Sequence, residues 1–324
     1  MSVELNRCVL GDCRRTLSEL PASIFACCVT SPPYWGLRDY GHPDQLGLER
    51  TTEEYVARMV EVFCQVRRVL RDDGTLWLNL GDSYAGSAPN TNSGFNERFG
   101  RAPGQRKQEA QSSGMRRKCS TLKPKDLVGI PWRVAFALQA DGWYLRSDII
   151  WCKPNPMPES VTDRPTKAHE YVFLLSKCER YYFDADAVAE LATTPGRVRC
   201  DVTAPKNGFA DPDRQRTMPR ARERIDRAQR NCRTVWTLPT QPYDGAHFAT
   251  IPPKLVERCV LAGSSLGGAV LDPFFGSGTV GQVAEQLGRA WLGCELNPEY
   301  GKLAAKRTAQ SGLRFVEPEL EVTP

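Results

Sequence analysis

A short run of hydroxyl, proline and aromatic residues follows the first strongly apolar stretch of the chain, Thr30-Ser31-Pro32-Pro33-Tyr34-Trp35-Gly36. An exocyclic amine on a planar base is a weak nucleophile, because its lone pair is delocalised into the ring. The Ser31 hydroxyl and the Pro32 carbonyl could accept hydrogen bonds from such an amine and stabilise positive charge that develops on it. The prolines stiffen the turn, and the Tyr34 ring could stack on the base. Residues 31–34, the catalytic turn, are therefore the predicted catalytic residues: Ser31, Pro32, Pro33 and Tyr34.

A second turn, near the C-terminus, has the residue order of a nucleotide-type cofactor site. This cofactor turn is Asp272-Pro273-Phe274-Phe275-Gly276-Ser277-Gly278-Thr279, between a predicted strand and a predicted helix. Glu295 follows Gly276 by 19 residues, at the end of the next predicted strand, where an acid can accept hydrogen bonds from ribose hydroxyls. The turn lacks the third glycine of the dinucleotide fingerprint and the lysine of a P-loop. A cofactor without phosphates is therefore favoured, and S-adenosylmethionine (AdoMet), whose ammonium group Asp272 could bind, is predicted.

Each motif taken alone has a simpler interpretation. Residues 31–34 could be a stiff turn or a polyproline-type ligand, and residues 276–278 could do no more than begin a helix. Their context favours function, because the first motif ends a buried strand and the second is in register with a strand, a helix and an acid.

Together the motifs resemble those of the amino-group DNA methyltransferases, in the permuted subgroup where the catalytic motif precedes the cofactor motif. The resemblance implies direct methyl transfer from AdoMet to the exocyclic amine of a flipped base. A serine at the first catalytic position is commoner in members that act on cytosine N4, so Ser31 favours N4-cytosine over N6-adenine. Three alternatives stay open: adenine N6 as the target, a nucleotide-dependent oxidoreductase, and a non-catalytic DNA-binding module with a vestigial cofactor site.

The resemblance also assigns cofactor contacts to individual residues. Residues 294–298 resemble the ribose-binding stretch, residues 247–255 the segment that contacts the methionine moiety, and Gly11-Asp12 the strand end whose acid reaches the adenine amino group. The predicted cofactor-binding residues are Asp12, Thr30, His247, Ala249, Thr250, Asp272, Phe274, Phe275, Gly276, Ser277, Gly278, Thr279, Glu295 and Asn297.

The elements that must position these motifs alternate between apolar strands and amphipathic helices, the pattern of a parallel sheet covered on both faces. Strands are predicted at 24–30, 75–80, 147–152, 170–176, 268–271 and 290–294, and helices at 52–70, 127–140 with a kink at Pro131, 252–261, 279–287 and 298–308. The predicted fold class is α/β, a Rossmann-like, seven-stranded, mostly parallel sheet with circularly permuted motif order. Residues 1–185 would form the catalytic half and 236–324 the cofactor half of one domain, with 186–235 a target-recognition insert.

Positive charge is concentrated in two stretches. Residues 85–123 contain eight basic and two acidic residues, and residues 195–233 contain eleven and five, although the net charge of the whole chain is only +5. Such stretches favour a polyanion, so double-stranded DNA is the predicted partner, although solvated loops can have the same composition. We expect residues 85–123 to clamp DNA, and DNA contacts are predicted for Arg214, Arg216, Arg220, Arg222, Arg224, Arg227 and Arg230.

The remaining composition excludes several classes. Twelve cysteines include no Cys-x-x-Cys pair and only three histidines accompany them, so no metal site is predicted and reduced thiols are expected. No apolar run reaches the roughly 18 residues of a membrane span, and the first residues lack the apolar segment of a signal peptide. A cytoplasmic monomer or homodimer is expected, with a cognate restriction endonuclease as a further candidate partner.

Overall fold

The computed structural model describes residues 3–85, 122–191, 229–240 and 251–309. The chain divides into two compact units, one formed by Met1–Asp184 with Thr234–Pro324 and the other by Ala185–Arg233. The second unit has nearly the bounds predicted for the insert. No helix in the described ranges is long and apolar enough to cross a bilayer.

Strands and helices alternate along most of the described chain. The strands are β1 (Arg7–Leu10), β2 (Phe25–Thr30), β3 (Leu70–Leu80), β4 (Tyr144–Cys152), β5 (His169–Ser176), β6 (Glu190–Leu191), β7 (Gln229–Arg230), β8 (Val235–Thr237), β9 (Ala269–Asp272) and β10 (Ala290–Glu295). The helices are α1 (Cys13–Glu19), α2 (Thr52–Val69), α3 (Ile130–Ala140), α4 (Pro253–Gly263), α5 (Thr279–Gln286) and α6 (Pro298–Ala309).

The first unit is built on one large sheet with the strand order β1-β10-β9-β2-β3-β5-β4-β8. Only β5 runs antiparallel to its two neighbours, and the other five pairings are parallel. The predicted fold class, α/β with a mostly parallel sheet, is confirmed. The sheet has eight strands instead of the predicted seven, because β8 pairs with the end of β4. A three-residue strand is too short to produce a recognisable periodicity.

Both faces of the sheet are covered, as alternate residues of β3 illustrate. Leu76 and Leu78 belong to the apolar core that includes α2 and α3. Trp77 points the other way, where a Cβ atom placed on Gly263 of α4 would lie 2.6 Å from its indole nitrogen. Burial on both faces explains why the strands are near-continuous apolar runs.

The centre of the sheet contains a topological switch point between β9 and β2. From β9 the chain passes through α5 to β10 on one side, and from β2 it passes through α2 to β3 on the other. In open α/β sheets, ligands bind beyond the carboxyl ends of the strands at such a point. Because β2 ends at Thr30 and β9 ends at Asp272, both predicted motifs begin there.

Helix α2 is the long amphipathic element behind the catalytic turn. The Thr51 side chain caps it by accepting a hydrogen bond from the Glu54 N–H at 3.1 Å. Acids in its first turn and Arg67 and Arg68 in its last turn complement the helix dipole. Its apolar face is fully buried and includes Tyr55, Met59, Val62, Phe63 and Val66.

Helix α3 corrects one detail of the sequence prediction. The expected helix over 127–140 begins only at Ile130, because Gly129 before it has a left-handed backbone with φ of 75°. Pro131 lies in the first turn, where a missing N–H leaves no intrahelical hydrogen bond unmade. It therefore starts the helix instead of kinking it.

The described part of the second unit is an antiparallel pair of the short strands β6 and β7. Arg230 and Arg233 both pair with Glu190, at 3.3 Å and 2.8 Å from its Oε2. Arg230 is the one predicted DNA-contacting arginine in the described ranges. Arg214, Arg216, Arg220, Arg222, Arg224 and Arg227 lie outside them, as do 86–121 of the basic stretch 85–123.

Candidate active site

A cleft with about 980 Å³ of empty space opens where β9, β10, β1 and β2 end. The cleft brings together the catalytic turn and the cofactor turn, which are far apart in sequence. The predicted residues that line it are Asp12, Ser31, Pro33, Asp272, Phe274, Phe275, Gly276, Ser277, Thr279, Glu295 and Asn297.

Asp272 is the most deeply buried acid of the cleft, at 4% exposure. Its Oδ1 accepts hydrogen bonds from the Thr30 hydroxyl at 2.7 Å and from the Phe274 N–H at 3.0 Å. Burial raises the pKa of the carboxyl group to about 7, and the charge of Glu295 acts in the same direction, whereas the two hydrogen bonds oppose the shift. Thr30 itself is fully buried, so it positions Asp272 from behind the cleft wall.

Glu295 ends β10 beside the cofactor turn. Its Oε2 accepts a hydrogen bond from the Gly276 N–H at 2.7 Å, and its Oε1 accepts one from the Asn297 N–H at 2.8 Å. Burial raises its pKa against the effect of these backbone hydrogen bonds. Each oxygen keeps a further lone pair, so the carboxylate can still accept hydrogen bonds from two hydroxyl groups.

The two acids have no positive partner within the described ranges. Backbone N–H groups and the Thr30 hydroxyl bind Asp272 and Glu295, and among the residues that the structure describes no Lys or Arg shifts the pKa of either acid. Buried carboxylates without a counter-charge favour a cationic ligand. The free lone pairs of Glu295 favour a ligand that also carries hydroxyl groups.

The cofactor turn is held in place by close packing behind it. The Phe275 ring stacks on Trp291 with centroids 5.0 Å apart. A Cβ atom on Gly293 of β10 would lie 2.2 Å from Phe275 Cγ, so only glycine leaves room for that ring. Gly278, which does not line the cleft, has a φ of 82°, and a Cβ atom there would lie 3.0 Å from Ala304 of α6.

Side chains of the cofactor turn and of β1 also make structural hydrogen bonds. The hydroxyls of Ser277 and Thr279 accept from Arg307 at 2.7 Å and 2.6 Å. Asp12 caps α1 by accepting from the Arg14 N–H at 2.8 Å, and its carboxylate also pairs with the Arg14 guanidinium. Its predicted contact with an adenine amino group stays a prediction.

One rim of the cleft was not predicted from the sequence. It consists of residues that follow the catalytic turn, with Tyr40, His42 and Gln45, and of Tyr300 on α6. Gln45 accepts a hydrogen bond from the Tyr40 N–H at 2.7 Å, and the Tyr40 and Tyr300 rings meet edge to face at 6.3 Å. The location of this segment could have indicated the rim, because the segment directly follows the carboxyl end of β2 at the switch point.

The catalytic turn is fixed from both sides. The Tyr55 hydroxyl donates to the Pro33 carbonyl at 2.8 Å, and the Trp35 indole donates to the Glu49 carbonyl at 3.1 Å. Ser31 and Pro33 line the cleft, whereas Pro32 is buried. No donor in the described ranges binds the Pro32 carbonyl, and its predicted contact with a target amine stays a prediction.

Tyr34 makes more contacts than base stacking requires. Its hydroxyl donates to Glu170 Oε2 at 2.6 Å and lies 3.2 Å from Asn79 Oδ1, and the Ser31 hydroxyl donates to it at 3.4 Å. Burial, with Glu170 nearby, raises the pKa of Tyr34 well above its usual value. The ring lies so close to Gly81 that a Cβ atom there would be 2.5 Å from Cε2.

Sequence reasoning gave Glu170 and its neighbours no chemical role. Glu170 forms an ion pair with Lys153 and accepts a hydrogen bond from Asn79 Nδ2 at 3.1 Å. Lys167 lies in the electrostatic field of Glu170 and Asp82, and burial lowers its pKa. Its ammonium nitrogen is buried without a hydrogen-bond partner in the described ranges. Three predicted cofactor residues, His247, Ala249 and Thr250, lie outside those ranges.

Comparison with known proteins gives a single consistent family. A family model described as DNA methylase matches residues 25–306. The Type II methyltransferase M.SmaI of Serratia marcescens is 47% identical over 299 residues, which cover 92% of this chain and 89% of that protein. The Type II methyltransferase M.Cfr9I of Citrobacter freundii is 48% identical over 308 residues, covering 94% and 89%.

Solved structures agree on the fold. The PvuII DNA methyltransferase (cytosine-N4-specific) superposes with a TM-score of 0.61 at 19% identity, covering 94% of this chain and 87% of that one. A putative DNA modification methylase of Thermus thermophilus, solved with S-adenosyl-L-methionine, has a TM-score of 0.57 at 24% identity and covers 95% of both chains. The family model covers most of the chain, and close relatives match nearly its full length. The chain therefore belongs to the DNA methylase family.

Proposed function

We propose that this protein transfers a methyl group from AdoMet to the N4 amino group of cytosine in double-stranded DNA. The observation that carries the proposal is that Ser31 and the two buried acids Asp272 and Glu295 line the same cleft. The Ser31 hydroxyl, which can accept a hydrogen bond from a nucleobase, thus lies beside a site that favours a cationic ligand with hydroxyl groups. Membership of the DNA methylase family supports the same reaction class.

AdoMet fits the donor set of the cleft. Asp272 would bind the ammonium group, because this buried carboxyl otherwise lacks a positive partner. Glu295 would accept hydrogen bonds from the ribose hydroxyls, and the rim residues Tyr40 and Tyr300 would flank the remainder. When bound, AdoMet supplies an electrophilic methyl group on a positively charged sulfur.

The chain's own residues would bind and orient the target amine. Ser31 Oγ and the Pro32 carbonyl accept its two N–H hydrogens, which frees the nitrogen lone pair from conjugation with the ring and stabilises positive charge developing on it. The packing around Pro33 and Trp35 fixes these acceptors before the base arrives, so orientation supplies much of the rate.

Two observations favour cytosine N4 over adenine N6. The first catalytic residue is Ser31, the residue commoner in N4-specific members. A structural neighbour with the same fold is a cytosine-N4-specific enzyme. Adenine N6 is the second candidate, because a hydroxyl or a carboxylate can accept from either amine.

The DNA partner and the cellular setting follow from the same reaction. The unit Ala185–Arg233 is proposed to read the target sequence, and the basic stretch 85–123 to hold the DNA backbone. The names of the Type II relatives support a paired restriction endonuclease. Cellular DNA as the substrate supports a cytoplasmic location.

The decisive test is to incubate the protein with methyl-labelled AdoMet and mixed-sequence duplex DNA, and to analyse the digested nucleosides by mass spectrometry. We expect labelled N4-methylcytosine, and none from a Ser31→Ala variant that still binds AdoMet. Labelled N6-methyladenine would overturn the choice of base, and the absence of any methylated nucleoside would overturn the function.

A further inference from the structure

A chain of hydrogen bonds leads from the catalytic turn to a carboxylate outside the cleft. Ser31 Oγ donates to Tyr34 Oη at 3.4 Å, and Tyr34 Oη donates to Glu170 Oε2 at 2.6 Å. Tyr34 has one proton, and the shorter contact to Glu170 receives it, so its oxygen is left to accept from Ser31. The donors thus all point in one direction, away from the base and towards Glu170.

The same arrangement sets how Ser31 meets the substrate. A serine hydroxyl that donates to Tyr34 presents only lone pairs to a target amine. Ser31 is therefore held as an acceptor, which is the state that the proposed chemistry needs. A Phe at position 34 could stack on a base but could not hold Ser31 in this way.

Several contacts fix the Glu170 carboxylate at the end of this series of hydrogen bonds. Asn79 Nδ2 donates to Glu170 Oε2 at 3.1 Å and to the Tyr171 carbonyl at 3.1 Å, so Asn79 links the carboxylate to β5. Lys153 pairs with the other oxygen of Glu170, whose side chain is 15% exposed. The buried Lys167 ammonium lies nearby. Two lysines balance the negative charge without blocking the oxygen that faces Tyr34.

We propose that Ser31, Tyr34 and Glu170 form a relay that removes the proton released by the target amine. The inference rests on the proposed function and adds to it a base that does not touch the substrate. As the amine nitrogen bonds to the methyl carbon, the carbon–sulfur bond breaks and its electron pair stays on sulfur. An amine proton passes to Ser31 Oγ, the Ser31 proton to Tyr34 Oη, and the Tyr34 proton to Glu170 Oε2.

Atoms and charge balance in this step without another reactant. The nitrogen gains one methyl group and loses one proton, the sulfur becomes neutral, and Glu170 becomes a neutral carboxylic acid. Both hydroxyls finish with one proton each. Glu170 returns its proton to water after the product leaves.

The relay is tested with variants that keep shape and remove one property each. Tyr34→Phe keeps the ring and removes the hydroxyl. Glu170→Gln keeps a carbonyl acceptor for Tyr34 and removes the charge. The matched control for Tyr34→Phe is Tyr144→Phe, at an exposed tyrosine. The matched control for Glu170→Gln is Glu159→Gln, the same change of acid to amide on the segment between β4 and β5. Glu159 pairs with Arg164 and not with the relay.

Single-turnover methylation, AdoMet affinity and duplex-DNA affinity are measured for each variant. A positioned base contributes about 10²–10⁴-fold to a proton transfer, so we expect each relay variant to lower the methyl-transfer rate at least about tenfold while both affinities stay within about twofold. The double variant should be no slower than the slower single variant, because either change breaks the same relay. In D₂O the wild-type rate should fall, and this isotope effect should disappear in Tyr34→Phe.

Results that contradict the relay can be told apart from results that contradict the proposed function. A Tyr34→Phe rate equal to wild type, additive losses in the double variant, or an isotope effect unchanged by Tyr34→Phe would each overturn the relay and leave the proposed function standing. Losses no larger than those of the two controls would also overturn the relay. A wild-type protein that methylates no nucleoside would overturn the proposed function, and the relay with it. If Glu170→Gln fails to fold, Tyr34→Phe and the isotope effect still decide.

Discussion

At the scale of single residues, Tyr34 combines two separable properties, an aromatic ring beside Ser31 and a hydroxyl bound to Glu170. Stacking of a base on an aromatic side chain is worth ~1–3 kcal/mol by alanine substitution. Tyr34→Ala removes the ring and the hydroxyl together, so we expect its methylation rate to fall further than that of Tyr34→Phe.

The measurement for Tyr34→Ala is steady-state methylation with labelled AdoMet, with the dissociation constant of AdoMet measured by calorimetry. Because Tyr34 does not line the cleft, AdoMet affinity should stay close to that of the wild type. Equal losses in rate and in AdoMet affinity would contradict a role for Tyr34 on the base side of the site.

Asp272 gives a second residue-scale prediction, on pH. Its pKa of about 7 in the folded protein means that the carboxyl is largely protonated below that pH and ionised above it. Only the carboxylate attracts an ammonium group, so AdoMet affinity should rise with pH through about 7. Below the pKa the rise should approach about tenfold per pH unit, because binding then releases one proton.

The control for this prediction is Asp272→Asn, whose side chain does not ionise. AdoMet binding measured by calorimetry between about pH 5.5 and pH 8 should be weaker in this variant and should lose the rise near pH 7. A wild-type affinity that does not change across this range would remove the Asp272 carboxylate from the contacts to the ammonium group.

At the scale of elements, sequence periodicity predicted the buried strands and α2 well, because each is a long pattern produced by local packing. It predicted neither β1 nor α1, which have four and seven residues, and it missed β8, which has only three. It also gave no role to Glu170, which lies 136 residues from Tyr34. Their contact arises because β5 runs antiparallel beside β3 and β4, so that its first residues share an edge with their last residues. Such an edge depends on strand order, which periodicity does not encode.

The packing of β10 against the cofactor turn gives a prediction about an element. A Cβ atom on Gly293 would lie 2.2 Å from Phe275 Cγ, and the Phe275 ring is also held by Trp291. Gly293→Ala must displace that ring and the turn that carries it. Overpacking of this kind costs ~1–3 kcal/mol, so both the thermal midpoint and AdoMet affinity should fall.

Gly301→Ala on α6 is the matched control. The nearest atom to its added Cβ is Leu10 Cδ2 at 2.5 Å, the end of a side chain that is 56% exposed and can move away. This variant should keep the thermal midpoint within about a degree, because alanine also favours the helix. A Gly293→Ala protein with wild-type stability and affinity would show that the turn does not depend on this contact.

At the scale of the whole molecule, chain order determines where specificity can be added. The residues predicted to form the catalytic half contain β1–β5, those predicted to form the cofactor half contain β9 and β10, and the unit Ala185–Arg233 lies between them in sequence. A segment inserted there can vary without altering the register of the central strands. The proposal that it reads the target site follows from this position and from its basic composition.

The last prediction concerns how that unit binds DNA. Each phosphate contact releases counterions, so the slope of log affinity against log salt concentration changes by about 0.9 per contact. Replacing Arg220, Arg222, Arg224 and Arg227 with Gln should therefore flatten the slope for duplex DNA and leave AdoMet affinity unchanged. The control variant carries Arg15→Gln and Arg58→Gln, at exposed arginines that pair with Glu19 and Glu61. If the slope changes no more in the arginine variant than in this control, those arginines do not contact phosphates.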